Sequence, residues 1–150
     1  MIVAFCGHSD FQKTEEYEEK LLSILEREVG DKVAEMYLGG YGGFDGFAYY
    51  CCKKYKETHP DVSLLLITPY MTLDHQMRYL NTQRAQYDGI IYPEIEDKPL
   101  KFAISYRNKW MVENADLVVA YVTHSFGGAY STYAHAQRKG KLIINIADLL

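Results

Sequence analysis

The segment Gly39-Gly40-Tyr41-Gly42-Gly43-Phe44-Asp45 places four glycines and a carboxylate between an apolar run ending at Leu38 and a helical apolar stripe. Glycines let a backbone approach an anion closely, and the free N–H groups and dipole of the following helix attract negative charge. The arrangement recurs. Ile2 to Cys6 runs into Gly7-His8-Ser9-Asp10, and Leu117 to Val122 runs into Thr123-His124-Ser125-Phe126-Gly127-Gly128. Glycine-rich loops in corresponding positions suggest a phosphate-bearing ligand, although they can also serve only as tight turns. Neither fingerprint of the common nucleotide folds is present: the Lys-Ser/Thr ending of a P-loop is missing, as is Gly-x-Gly-x-x-Gly in the first unit.

Around these loops stand the side chains that could act. Asp45 and Asp10 are candidate catalytic carboxylates near helix N-termini, where a capping role competes with acid–base work. The candidate ligand-binding residues are Gly7, His8 and Ser9, then Gly39, Gly40, Tyr41, Gly42 and Gly43, then Arg107, and finally Gly127, Gly128, Tyr130, Ser131 and Thr132. Arg107 sits early in a helix that returns from the ligand edge, so its guanidinium is expected to take a phosphate bidentately, with a surface ion pair as the alternative. Ser131 and Thr132 offer hydroxyls to the same anion or to the helix cap. Asp116 and Glu113 fall at the opposite edge and are assigned to turn or cap chemistry. His8, His75, His124 and His135 lack the close spacing of a metal site, and no Gly-x-Ser-x-Gly elbow occurs, so no metal, no cofactor and no serine nucleophile is expected.

The elements that must position these residues alternate along the chain. Continuous apolar runs at Ile2–Cys6 and Val62–Ile67, with the further segments Val33–Leu38, Gly89–Tyr92, Leu117–Val122 and Leu142–Ile146, read as strands apolar on both faces. Between them lie helical patterns. The first runs from Lys13 to Gly30, the second carries the stripe Phe44, Phe47, Ala48, Cys51, Cys52 and Tyr55, the third spans Leu73–Tyr87 and is polar, the fourth spans Phe102–Asn114, and the fifth ends near Lys139 with Gly140 as its cap. This order predicts an α/β fold, a Rossmann-like doubly wound and mainly parallel sheet with helices on both faces, in one domain over residues 1–150. Ligands in such sheets bind outside the carboxyl ends of the strands, which is where the three loops fall.

Composition narrows the classes further. The chain has 150 residues, 48% hydrophobic and 24% charged, which excludes disorder and coiled coil. A formal net charge of -4 leaves no positive field for general nucleic-acid binding. The apolar runs are too short to span a bilayer, which takes roughly 20 residues, so no membrane association and a cytoplasmic setting are expected. Three cysteines, two of them adjacent, are read as reduced core residues. Of the aromatics, 14 are Tyr against 6 Phe and 1 Trp. Tyr17, Tyr37, Tyr55 and Tyr121 fall on core stripes or strands, whereas Tyr41, Tyr70, Tyr92, Tyr106, Tyr130 and Tyr133 are expected near the carboxyl edge, lining a cleft for a base.

The run Gly39 to Asp45, then Arg107-Asn108-Lys109-Trp110-Met111-Val112, Ala115-Asp116-Leu117-Val118-Val119-Ala120 and Gly127-Gly128 resembles the SLOG superfamily, named for its Smf/DprA and Lonely Guy members. The opening Phe5-Cys6-Gly7-His8 and the Arg-Asn-x-x-Met-Val signature are most similar to its YpsA-like branch. The resemblance covers essentially the whole chain. It implies a Rossmann-like fold and binding of a nucleotide or nucleotide-derived ligand at the glycine-rich edge, as a sensor or carrier, and it implies a homodimer through helical faces. The Lonely Guy branch cleaves the N-glycosidic bond of nucleoside monophosphates with an Arg, matched by Arg107, and a Glu in Pro-Gly-Gly-x-Gly-Thr-x-x-Glu. Here Tyr133 or Ala134 stands at that Glu. Three readings follow: nucleotide binding, a phosphoribohydrolase using Asp45 or Asp10 instead, and a ligand-free protein-interaction module.

Overall fold

The central strands are covered on both faces, so their residues sort alternately into two apolar layers. The computed structural model describes residues 1–69, 73–95 and 97–149. Strands β1 (Ile2–Gly7), β2 (Ala34–Leu38), β3 (Val62–Ile67), β4 (Gly89–Ile91), β5 (Leu117–Tyr121) and β6 (Leu142–Asn145) form one sheet in the order β4-β3-β2-β1-β5-β6. All five pairings are parallel. The helices between them are α1 (Glu15–Glu28), α2 (Gly42–Lys56), α3 (Leu73–Gln86), α4 (Ala103–Glu113) and α5 (Gly127–Arg138), with short 3₁₀ turns at Leu100–Phe102 and Ile146–Leu149. The doubly wound, Rossmann-like architecture expected from the alternating pattern is the one observed.

Val3 and Phe5 of β1 join Leu21, Ile24 and Leu25 of α1 and Phe44, Phe47 and Cys51 of α2 in one layer. Ala4 and Cys6 of the same strand join Met111 and Val112 of α4 and Ala136 of α5 in the other. All three cysteines are free and buried, Cys51 and Cys52 alike. Helix α1 starts where Thr14 accepts the Tyr17 N–H at 3.2 Å, and three glutamates in its first turn suit the positive end of the helix dipole. Helix α3, polar in sequence, has no buried residue among its described side chains. Asp116 accepts the Ile2 N–H at 2.8 Å, and Glu113 meets His135 at 2.7 Å, both away from the glycine loops.

Strands step outward from β1 to β4 in one direction and from β5 to β6 in the other, so the order reverses between β1 and β5. A crevice opens at such a reversal because the connections leave to opposite faces. Gly7 ends β1 there. A Cβ at Gly7 would lie 2.3 to 2.7 Å from the ring and Cβ of Phe44, a fully buried side chain with nowhere to retreat. Gly7→Ala is therefore expected to destabilise the fold by about 1 to 3 kcal/mol, the scale of core overpacking. Denaturant midpoints of the two proteins check this, and an unchanged midpoint would show that Phe44 can yield.

Candidate functional site

The chain ends that meet at the reversal are tied down by named polar groups. Asn145 on β6 accepts the Val122 N–H at 3.1 Å and donates to the Val122 carbonyl at 2.9 Å, fixing the exit of β5. His8, buried beyond the end of β1, accepts the Thr123 N–H on Nε2 at 2.9 Å. The loop after β2 is fixed against the loop after β1, since Gly43 N–H donates to the Ser9 carbonyl at 2.7 Å. Gly42 has φ of +83°, and a side chain there would strike Ser9 as well.

These loops enclose a cleft of about 470 Å³ at the carboxyl ends of β1, β2 and β5. Cleft volumes of roughly 300 to 1,000 Å³ are usual for small-molecule sites. Its walls carry Gly7, His8, Ser9 and Asp10 from the first loop, Gly39, Tyr41, Gly42 and Asp45 from the second, and Gly127, Gly128 and Thr132 from the third. Arg107 lies at its floor with Ile104 and Asn108 of α4. The start of α5 is open toward this space. Phe126 at its N-cap makes no side-chain cap, its first turn holds no acidic residue, and Cβ atoms added to Gly127 or Gly128 would meet nothing within 4 Å. Unclaimed helix N–H groups facing a cleft are an anion-binding arrangement.

Arg107 lines the cleft, but its guanidinium is engaged by the chain's own carbonyls where the sequence predicts a bidentate hold on a phosphate. It is 1% exposed, and its Nη1 donates to the Gly39 carbonyl at 2.8 Å and the Ile67 carbonyl at 2.7 Å, while Nε donates to Asn108 at 2.8 Å. The reason is helical phase: Ala103, Arg107 and Met111 share the inward stripe of α4. The guanidinium thus braces the carboxyl ends of β2 and β3 and lends positive charge to the cleft floor.

Asp45 sits beside it. A Cβ at Gly39 would come within 2.8 Å of Asp45 Oδ2 and 3.3 Å of Arg107 Cζ, so a side chain there would have to displace the Asp45 carboxylate. Asp45 Oδ2 accepts the Tyr41 N–H at 3.0 Å, a capping contact at the start of α2. Burial raises its carboxyl from 3.8 to about 6, against the lowering influence of the Tyr41 N–H and the Arg107 charge. The folded protein therefore holds this proton more tightly than the unfolded chain. Stability from that preference is full below about pH 4 and is lost as pH rises through 6. Wild-type stability relative to Asp45→Asn is expected to fall by on the order of 2 kcal/mol between pH 4 and 7, allowing for partial exposure of the group. Urea denaturation of both proteins across this range checks it, and parallel pH profiles would contradict it.

Other groups are less reactive. Burial, with a smaller push from Asp45, raises the Cys6 thiol to about 12, so it forms an apolar floor. Burial and the neighbouring His124 hold His8 below its ordinary value, with Asp10 opposing, which keeps the ring neutral. Among the described residues, no group of three or more His, Cys, Asp or Glu side chains could hold a metal ion.

Several expected residues fall elsewhere. Gly40 lines a separate small pocket with Leu66, Pro69 and Tyr87, and Gly43 is turned against the first loop. Ser131 is exposed outside the cleft, and Tyr130 packs with Tyr133 against the core layer under α4 and α5. Thr132 and Ala136 take the inner stripe of α5, so its phase turns residues 130, 131 and 133 away. Thr132 reaches the cleft, but its hydroxyl donates to the Gly128 carbonyl at 3.0 Å. Tyr92 borders a pocket beside β4, and Tyr106 lies near Lys98 and Lys109. Tyr70 lies outside the described residues. Among the described tyrosines only Tyr41 lines the cleft, which corrects the expectation of a tyrosine-lined site.

The cleft also holds His124 and Phe126, two rings of the third loop that the sequence does not single out, stacked on the expected His8. His8 stacks on His124 at 3.9 Å between centroids, and His124 stacks on Phe126 at 3.9 Å. The signal lay in the third loop itself, where His124 and Phe126 precede the glycine pair.

No family model and no curated protein matches this chain. Solved structures do. One is DNA processing protein A from Helicobacter pylori, described for its single-stranded DNA binding mode, with a TM-score of 0.58 at 20% identity over 95% of this chain and 63% of that one. Another is the structural-genomics target TM1055, with a TM-score of 0.56 at 14% identity over 95% of this chain and 71% of that one. The shared property is the fold. The chain spans less than two thirds of DNA processing protein A. Among the described residues, no helix is long and apolar enough to cross a membrane.

Proposed function

We propose that this protein binds a nucleotide or nucleotide-derived small molecule in the cleft between β1 and β5, as a SLOG-type sensor or carrier domain of the YpsA-like kind. The observation that carries this reading is the open start of α5, where Gly127 and Gly128 face a walled cleft with no side-chain cap from Phe126 and no acid in the first turn. A phosphate is the ligand group that a helix start of this kind holds best. Arg107 supports it from the floor by charge, while Ser9, Asp10 and Asp45 in the cleft lining offer acceptors for sugar hydroxyls. The likeness in fold to DNA processing protein A supports the SLOG assignment made from the glycine and Arg-Asn motifs. Three unpaired, buried cysteines suit a reducing, cytoplasmic setting.

A second reading has one specific observation behind it. Asp45 is a cleft carboxyl that titrates near 6, suited to proton transfer at neutral pH, so hydrolysis of an N-glycosidic bond is an enzymatic alternative. No carboxylate stands in the first turn of α5 to assist it, which favours binding without turnover.

Thermal shifts against nucleoside monophosphates, nucleoside diphosphates, ribose 5-phosphate and a short single-stranded oligonucleotide, with chromatography of the mixtures, test both readings. Stabilisation by a phosphate-bearing compound without base release supports the carrier reading, and release of free base supports hydrolysis. The oligonucleotide belongs in the panel because DNA processing protein A is described as a single-stranded DNA binder, although the net charge of -4 weighs against strand binding here. No response to any compound would leave the interaction-module reading in place of both.

A further inference from the structure

Three rings stand in series at the lip of the cleft, and their exposure rises outward: His8 is buried, His124 is half-buried, and Phe126 is 69% exposed. Successive planes are nearly parallel, 13° between the histidines and 18° between His124 and Phe126. The stack is held rather than loose. His8 Nε2 is fixed by the Thr123 N–H, and His124 Nδ1 donates to the Phe126 carbonyl at 3.0 Å, so the two inner rings are oriented by the same loop that carries the outer one. One face of Phe126 is covered by His124, which leaves the remainder of a large apolar ring in water at the mouth of a cleft. A preoriented ring with solvated surface suits one kind of partner, a flat heterocycle, because every nucleobase presents a π-face of matching size.

We propose that Phe126 is the platform on which the heterocyclic base of the bound nucleotide stacks, an inference that rests on the nucleotide reading of the same cleft. Position links the two groups. Phe126 is the N-cap residue of α5, directly before Gly127 and Gly128, so a ligand whose phosphate meets the helix start carries its base only one sugar away. Stacking reads a face and not an edge, so the platform accepts purines and pyrimidines with little discrimination. It replaces the tyrosines as the ring system of the site. The base can belong to a free nucleotide or to a strand.

Isothermal titration with adenosine 5′-monophosphate, ribose 5-phosphate and a short oligothymidylate, on wild type, Phe126→Ala, Phe126→Leu and Phe126→Trp, tests this. The exposed side chain makes these substitutions safe for the fold. Wild type is expected to prefer adenosine monophosphate over ribose 5-phosphate by roughly ten-fold or more, the scale of one base–aromatic stack. Phe126→Ala should erase that preference without changing ribose 5-phosphate binding, Phe126→Trp should keep it, and Phe126→Leu should lose most of it. Ring-dependent binding of the oligonucleotide alone would support the platform and assign the base to a strand. Equal affinity of wild type for the two small ligands, or a preference that survives in Phe126→Ala, overturns the platform while leaving the phosphate cradle standing. Binding of none of the three compounds overturns both.

Discussion

Gly128→Asp is expected to leave the protein folded while weakening phosphate-dependent binding by on the order of 2 to 4 kcal/mol, roughly thirty- to a thousand-fold. Open space surrounds the added side chain, since a Cβ at Gly128 has no neighbour within 4 Å. An aspartate in the first turn suits the helix dipole and adds about 0.3 to 1 kcal/mol to stability. The same charge occupies the place a phosphate would take, and two like charges about 4 Å apart near a protein surface repel by about 4 kcal/mol. Stability and binding therefore move in opposite directions, which a general folding defect cannot mimic. Gly128→Ala supplies the uncharged control and should bind within about ten-fold of wild type. Titration calorimetry with thermal melts of each ligand-free protein reads both quantities. A folded Gly128→Asp variant that binds as wild type does would remove α5 from the site.

Arg107→Ala is expected to cost about 3 to 5 kcal/mol of stability, the loss seen when one partner of a buried charged network is deleted. The Gly39 and Ile67 carbonyls would lose their shared donor, and Asp45 would lose the positive charge beside it. For a domain of this length the melting temperature should fall by about 10 °C or more. Arg107→Lys should recover only part, because an ammonium lacks the planar fork that spans two carbonyls and Asn108. A melting temperature within about 3 °C of wild type, with ligand binding lost, would instead make Arg107 a ligand arm of the kind its sequence position suggests.

Arg107 separates what position along a helix decides from what helical phase decides. Its place near the carboxyl edge was legible from the direction of α4, but its neighbours on the helix decide its orientation. Ala103 and Met111, four residues either side, mark an inward stripe that draws Arg107 in. Helical phase likewise separates Thr132 from Ser131 and Tyr130, which loop membership alone groups together. The strands and their order of alternation were readable because short apolar runs such as Val62–Ile67, too brief for a buried helix and bounded by turn residues, suit a sheet covered on both faces. The glycine loops were readable as an edge, yet glycine carries no information on which neighbour it admits. Gly7 admits Phe44, Gly39 admits Asp45 and Arg107, and Gly128 admits open space. The ring stack was hidden because its members, His8, His124 and Phe126, come from two loops separated by more than a hundred residues.

Phosphate held at the start of α5 is visible in the amide resonances of that turn. In a proton–nitrogen correlation spectrum, titration with adenosine 5′-monophosphate should shift the amides of Gly127, Gly128 and Ala129 most, with smaller changes at Gly7 to Asp10, and ribose 5-phosphate should reproduce the shifts at the helix start. Saturating binding that leaves those three amides unmoved would place the phosphate elsewhere and remove the α5 start from the site.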